Sequence, residues 1–341
     1  MRLLATASLL ALALAGCART TTAETAAHAQ AAPPQAATRQ VPTQLPANVR
    51  PVQYAIQVTP DPANLRFAGR ADIDIRVLEP TDTITLNAAD LEFDRVSLGG
   101  GSGAPLALNP SDIDTDADRQ TATFRFGRDI PPGPYRLTID YKGKIYTQAA
   151  GLFALDYDTA QGRKRALFTQ FEAPDARRFF PGWDEPQFRT PYNLAVTAPA
   201  DQDVIGNMPQ AGVRMNSDGT KTVTFQTTPA MSSYLLFMAM GEFDRITTTS
   251  AGTEVGVVAK RGDGEKGRWA LESASKILPW YNDYFGTPYP LPKLDNVAGP
   301  GSSQFFGAME NWGAIFSFES ILLVDPAITT EGTRQLGLGL S

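Results

Sequence analysis

Apolar side chains recur at every second position through much of this chain: Tyr54, Ile56 and Val58; Ile73, Ile75 and Val77; Ala122, Phe124 and Phe126; Leu137, Ile139 and Tyr141. A period of two puts one face of an extended chain into a core and the other into water, a division that a helix cannot make with the same residues. Turn formers separate the runs, such as Pro60-Asp61-Pro62 and the glycine-rich stretch 99–103, as strands joined by tight connections require. With further strand-like runs at 193–197, 221–226 and 234–240, the pattern predicts a mostly β chain, its residues 46–244 forming a β-sandwich or saddle domain. One more strand run, 254–260, precedes a change of period. Ala270, Ala274, Ile277, Leu278, Tyr281 and Phe285 then follow spacings of three and four, with Trp269, Ser273, Lys276 and Trp280 along another side. That is a helix, opening a second domain over 245–341, and Pro279 within it removes one internal hydrogen bond.

The amino terminus follows a different logic. Met1 and Arg2 lead into an apolar run over 3–15, the layout of a secretory signal and too short to cross a bilayer. It ends Leu14-Ala15-Gly16-Cys17, which resembles a bacterial lipobox, so residues 1–16 are expected to be cleaved and Cys17, the sole cysteine, to carry lipid. Acyl chains gain ~0.8 kcal/mol per buried methylene and anchor a protein without a transmembrane helix. Ala18 behind the cysteine suggests sorting to the outer membrane of a Gram-negative cell, facing the periplasm. Residues 17–45 are Ala, Thr, Gln and Pro with almost no large apolar side chain, the composition of a tether with no core. His28, the sole histidine, lies in it and reads as a solvated side chain. The formal net charge of −6 argues against nucleic acid as a partner, since phosphate backbones select clustered Lys and Arg.

Two patterns imitate ligand sites. Asp112, Asp114, Asp116 and Asp118 alternate like calcium-loop carboxylates, but Ala117 and Thr123 stand where such a loop needs glycine and a bidentate glutamate. Gly99-Gly100-Gly101-Ser102-Gly103 lacks the Lys-Ser/Thr ending of a phosphate loop. The first reads as a hairpin tip and the second as a turn.

Three further blocks carry a resemblance. Gly307-Ala308-Met309-Glu310-Asn311-Trp312-Gly313 is similar to the exopeptidase signature of the gluzincin zinc aminopeptidases, the family of aminopeptidase N and leukotriene hydrolase. Thr169-Gln170-Phe171-Glu172-Ala173-Pro174-Asp175-Ala176-Arg177-Arg178, running on to Phe180-Pro181-Gly182-Trp183-Asp184-Glu185-Pro186, resembles the amino-terminal domain of the same family. Pro288-Tyr289-Pro290-Leu291-Pro292-Lys293-Leu294-Asp295 fits in front of the signature. Gly182, where many relatives have cysteine, and Pro300-Gly301-Ser302-Ser303-Gln304 depart from the pattern. The resemblance implies a thermolysin-like α/β catalytic domain after the β domain, and removal of amino-terminal residues from peptides. It implies that Glu310 and Glu172 grip the substrate α-ammonium, while Gly307, Ala308, Met309 and Asn311 line the peptide backbone. A unit charge at 4 Å is worth about 4 kcal/mol at an effective dielectric near 20, before desolvation.

The resemblance also implies zinc, held by two histidines of a His-Glu-x-x-His helix and a downstream glutamate. With His28 as the sole histidine, the sequence is expected to bind no zinc and to be catalytically incomplete. The alternating glycines and leucines of 336–340 are poor helix material and read as a truncation or frameshift product. A different class of reading keeps only the amine-recognition half: a non-catalytic peptide-binding lipoprotein. A fragment is expected to leave an apolar face unpaired around Phe316, Phe318, Ile321 and Leu322, whereas a selected binder closes it.

Overall fold

The computed structural model describes residues 45–100, 104–303, 306–325, 329, 330 and 332. The leader, Cys17, His28 and residues 333–341 lie outside them. In chain order the first strands are β1 (Val49–Asp61), β2 (Arg66–Val77), β3 (Thr81–Asn87), β4 (Glu92–Gly99) and β5 (Leu106–Ala107). Next come β6 (Ile113–Asp116), β7 (Thr121–Ile130), β8 (Gly133–Lys144), β9 (Gly151–Thr159) and β10 (Gly162–Gln170). They are followed by β11 (Tyr192–Pro199), β12 (Asp203–Gly206), β13 (Gln210–Met215), β14 (Thr220–Phe225) and β15 (Met238–Gly241). The last part holds β16 (Phe243–Ser250), β17 (Thr253–Lys260), α1 (Arg268–Phe285), β18 (Lys293–Gly299), β19 (Ala308–Met309), β20 (Ala314–Phe318) and α2 (Glu319–Leu322).

Among the described residues these strands make four sheets. The largest runs β13-β14-β11-β1-β2-β8-β4-β5, a second β3-β7-β6, a third β12-β15-β10-β9 and the fourth β16-β17-β18-β20-β19. The four strands whose period of two shows in the sequence, β1, β2, β7 and β8, lie in the first or second. Tyr54, Ile56 and Val58 of β1 pair in parallel with Tyr192, Leu194 and Val196 of β11, and all six are buried. Their core also takes in Ile84, Leu86 and Phe124 of the three-stranded sheet and Leu152 and Leu167 of the four-stranded one. The expected sandwich is thus one large sheet covered by two small ones. Of the four aspartates, Asp112 ends a 3-10 turn, Asp114 and Asp116 lie within β6 and Asp118 in its turn to β7. Asp112 accepts from Asn109, Asp114 pairs with Arg125 and Asp116 with Arg119.

The third sheet is buried on both faces. Leu152 and Leu167 look into the first core, while Phe153 and Phe168 look into a second, with Val297, Met309, Phe316 and Phe318 of the fourth sheet. The fourth sheet is mixed: β17, β18 and β20 run parallel, with β16 and β19 antiparallel at its edges. A parallel pair needs a crossover, and α1 supplies it between β17 and β18, covering Val255, Val257, Ala259 and Leu294. This is the α/β opening that the resemblance implies.

Several local expectations are corrected. Residues 234–240 are not one strand: Ser233–Leu235 form a 3-10 turn and β15 begins at Met238. On α1 the buried stripe is Ala270, Leu271, Ala274 and Leu278, while Tyr281 and Phe285 join Trp280 and Tyr284 in an exposed aromatic patch. The apolar face expected around Phe316 is closed, since Phe316, Phe318 and Leu322 are buried and Ile321 packs against the second core.

Candidate functional site

Phe171, at the end of β10, is buried, and the chain then turns outward so that Glu172 is exposed. The turn is held by the two arginines that follow. Arg177 donates from Nε to Asp184 Oδ2 at 3.0 Å and from its backbone N–H to the same oxygen at 3.1 Å. Ser233 Oγ donates to the other carboxylate oxygen at 2.6 Å. Burial raises the pKa of Asp184 above its ordinary value, against the lowering pull of Ser233 and Arg177. Removing either partner would leave a buried charge uncompensated, which accounts for an arginine and an aspartate seven residues apart in this block. Arg178 holds the outer side, donating to Asp175 Oδ1 and Asp90 Oδ2, both at 2.7 Å. Gly182 lets the returning chain press on the core. A Cβ there would stand 2.9 Å from Tyr54 Oη, and that hydroxyl accepts the Trp183 N–H at 3.0 Å.

The signature segment is built on β19. Ala308 and Met309 pair with Ser317 and Phe316 of β20, and the Phe318 N–H donates to the Gly307 carbonyl at 3.2 Å. The Met309 side chain is a core residue of the second cluster, which leaves its main chain on the strand. Gly307 and Ala308 are half-buried and Glu310 is exposed beyond the strand end. Asn311 is buried, and its Nδ2 and Oδ1 find no hydrogen-bond partner. Neither Glu172 nor Glu310 is paired with a cation among the described residues. Among the described residues β19 is an edge strand, the kind of element that can pair with an extended chain.

Gly313 closes the segment under two constraints. Its φ is +74°, and a Cβ there would fall 2.1 Å from the backbone carbonyl oxygen of Asn207. Only glycine meets both. The Gly313 carbonyl accepts Lys293 Nζ at 2.6 Å and the Asp295 N–H at 3.1 Å. Lys293 also donates to Asp295 Oδ2 at 2.9 Å, and Arg245 to Oδ1 of the same carboxylate at 2.8 Å. Burial lowers the Lys293 pKa from its ordinary value, opposed by the charge of Asp295. These charged groups form one wall of a cleft of about 310 Å³, with Val204, Met208 and Phe225 across from them.

One side chain joins the two blocks. Asn207 accepts the Phe237 N–H on Oδ1 at 2.8 Å and donates from Nδ2 to the Trp312 carbonyl at 2.8 Å. Phe237 directly precedes β15, whose Met238 N–H donates to Thr169 Oγ1 at 2.9 Å near the end of β10. The last residues of β10 and the signature segment are therefore linked through Asn207 and the start of β15. Gln170 is buried with its Oε1 unpartnered. In the sequence Gln170 carries no sign of a role and Asn207 none at all; a buried polar atom without a partner is the structural signal for the first, and nothing local betrays the second. Among the described residues no group of three or more His, Cys, Asp or Glu could hold a metal, and the zinc that the resemblance implies has no ligand set among them.

Residues 50–235 match the Peptidase M1 N-terminal domain and residues 269–337 the Peptidase family M1 domain. The chain is 41% identical over 294 residues to an aminopeptidase N of Acetobacter pasteurianus, covering 86% of this chain and 81% of that protein. It is 36% identical over 292 residues to aminopeptidase M1-B of rice, Oryza sativa subsp. japonica, where 85% of this chain spans 32% of the relative. Against a puromycin-sensitive aminopeptidase of Caenorhabditis elegans it is 34% identical over 295 residues and spans 30% of that protein. It thus spans about a third of the plant and nematode relatives. On these matches the chain belongs to the aminopeptidase N-like gluzincins of peptidase family M1, and it corresponds to their amino-terminal part.

Proposed function

We propose that this chain carries the amine-recognition half of a zinc metalloaminopeptidase, a hydrolase that removes amino-terminal residues from peptides, and is inactive by itself. Glu310 and Glu172 attract the α-ammonium of the substrate, Gly307, Ala308, Met309 and Asn311 receive its backbone along and just beyond the β19 edge, and Gln170 offers a further acceptor. The observation that supports the reading is the Asn207 link, because it ties the signature segment that carries Glu310 to Phe237, beside the end of β10 from which the chain runs on to Glu172. In solvent such charges are worth about 0–1 kcal/mol each, so affinity is modest and the contrast between charged and blocked amino termini is the diagnostic.

The test is equilibrium binding of alanyl-alanine amide and its acetylated form to the full chain, with metal analysis of the gel-filtered protein. Preference for the free amine, its loss by about tenfold in Glu310→Gln, and no stoichiometric zinc are expected. Equal binding of both ligands, or one zinc per chain with chelator-sensitive turnover, refutes the reading. Anchoring through Cys17, at an outer membrane facing the periplasm, is part of the same proposal. A fatty-acid analogue should label the wild type and not Cys17→Ser.

The rival reading, a peptide-binding lipoprotein without catalysis, draws on the closed packing of Phe316, Phe318 and Leu322. The exposed rings of Trp280, Tyr281, Tyr284 and Phe285 count against it, since a finished soluble module seldom leaves such a patch.

A further inference from the structure

Among the described residues the Glu310 side chain has no hydrogen-bond or ion-pair partner: it stands exposed between a two-residue strand and a turn. Its position is inherited from the groups that fix the chain on either side. On the amino-terminal side these are backbone pairs with β20. On the carboxy-terminal side both successive carbonyls are taken by side chains. Asn207 Nδ2 donates to Trp312 at 2.8 Å and Lys293 Nζ to Gly313 at 2.6 Å. Both donors are buried, and each is braced in turn. Asn207 is tied to Leu235 and Phe237, and Lys293 to Asp295, which Arg245 also holds.

A buried lysine carries a large desolvation penalty, and a neutral side chain would avoid it. What the ammonium supplies here is a short, charge-assisted bond to the carbonyl of Gly313. We infer that Asn207 and Lys293 are positioning residues for amine recognition, clamping the carbonyls of Trp312 and Gly313 so that Glu310 is presented at a fixed place. The two donors come from opposite sides, Asn207 from the sandwich and Lys293 from the fourth sheet, so the clamp also sets the signature segment relative to Glu172. This rests on the amine-recognition reading above. Geometric slips of about an ångström at such positions are known to be costly in rate.

The experiment uses the full chain and two variants. Asn207→Asp keeps the acceptor for Phe237 and loses the donor to Trp312, and Lys293→Met keeps the stem and loses the ammonium. Ser250→Ala, which lies on another strand and touches neither block, serves as a destabilised control. Hydrogen exchange is followed across 307–313, together with the binding ratio of alanyl-alanine amide to its acetylated form. The expected result in either variant is exchange at 310–313 faster by at least tenfold, with the rest of the chain unchanged apart from 235–237 beside Asn207 in Asn207→Asp, and a free-to-acetylated ratio falling toward one; the control changes neither. Exchange at 310–313 that matches the control, or that rises equally everywhere, overturns the inference, and so does faster local exchange with an intact ratio. If neither variant folds, the pair is scaffold and the inference is wrong. A wild type that prefers neither ligand sinks the amine-recognition reading instead, while exchange still reports whether the clamp holds the segment.

Discussion

Gly313 lets a single atom be tested against a motif. Its glycine is required by a left-handed φ and by the Asn207 carbonyl 2.1 Å from where a Cβ would be, not by any contact with a ligand. Gly313→Ala should therefore destabilise by roughly 2–4 kcal/mol, combining backbone strain with overpacking against an atom that cannot rotate away. Urea unfolding would measure it, and a loss below about 0.5 kcal/mol would show that the segment relaxes freely. The motif itself was legible in the sequence, as were Glu172 and Glu310, because their block spelling is local. Asn207 was not: nothing within ten residues of it is unusual, and its role exists only because Phe237 and Trp312 converge on it through the fold. Lys293 was quoted with its block, but that its charge is spent on Gly313 follows from burial, which no spacing reveals.

At the scale of elements, Pro279 within α1 shows how a local rule survives being broken. Proline has no N–H to give the carbonyl four residues back, here that of Ser275. Ser250 Oγ, at the end of β16, donates to that carbonyl at 2.5 Å, so the helix defect becomes a tie between helix and sheet. Ser250→Ala should cost about 1–2 kcal/mol in the wild type, since it strands a carbonyl at a partly buried site. In a Pro279→Ala background, where the backbone N–H returns, the same change should cost less than about 0.5 kcal/mol. Thermal unfolding of the four proteins forms a double-mutant cycle, and equal costs in both backgrounds would rule the substitution mechanism out. Element type followed legibility closely. Strands wet on one face, such as β1, β2, β7 and β8, show a period of two; β9 and β10, buried on both faces over 152–154 and 166–168 and charged beyond, show none. The carboxy-terminal part of α1 misled because Tyr281 and Phe285 keep the helical spacing yet face outward.

Over the whole molecule, Phe316 is where the sandwich meets the fourth sheet. Its ring lies 5.2 Å from Phe168, 6.0 Å from Phe153 and 6.3 Å from Phe237 on one side. On the other it lies 5.2 Å from Phe318 of its own sheet. Every link between the two blocks of the candidate site passes near this cluster, since Met309 and Phe237 both belong to it. Because the third sheet presents one face to each core, the two parts cannot separate without exposing a full layer of aromatic rings, and they should unfold as one cooperative unit. Phe316→Ala opens a cavity at that junction and should cost about 3–5 kcal/mol. The more telling effect is on cooperativity. Trp183 is buried in the first core and Trp312 belongs to the signature segment, so single-tryptophan versions report on the two parts separately. Their urea transitions should coincide when Phe316 is present. In Phe316→Ala the Trp312 transition should move to lower denaturant than that of Trp183, with loss of any preference for free amino termini following Trp312. If the two probes still move together after the substitution, the aromatic layer is not what joins the parts, and the Asn207 link or the strand pairing must hold them instead.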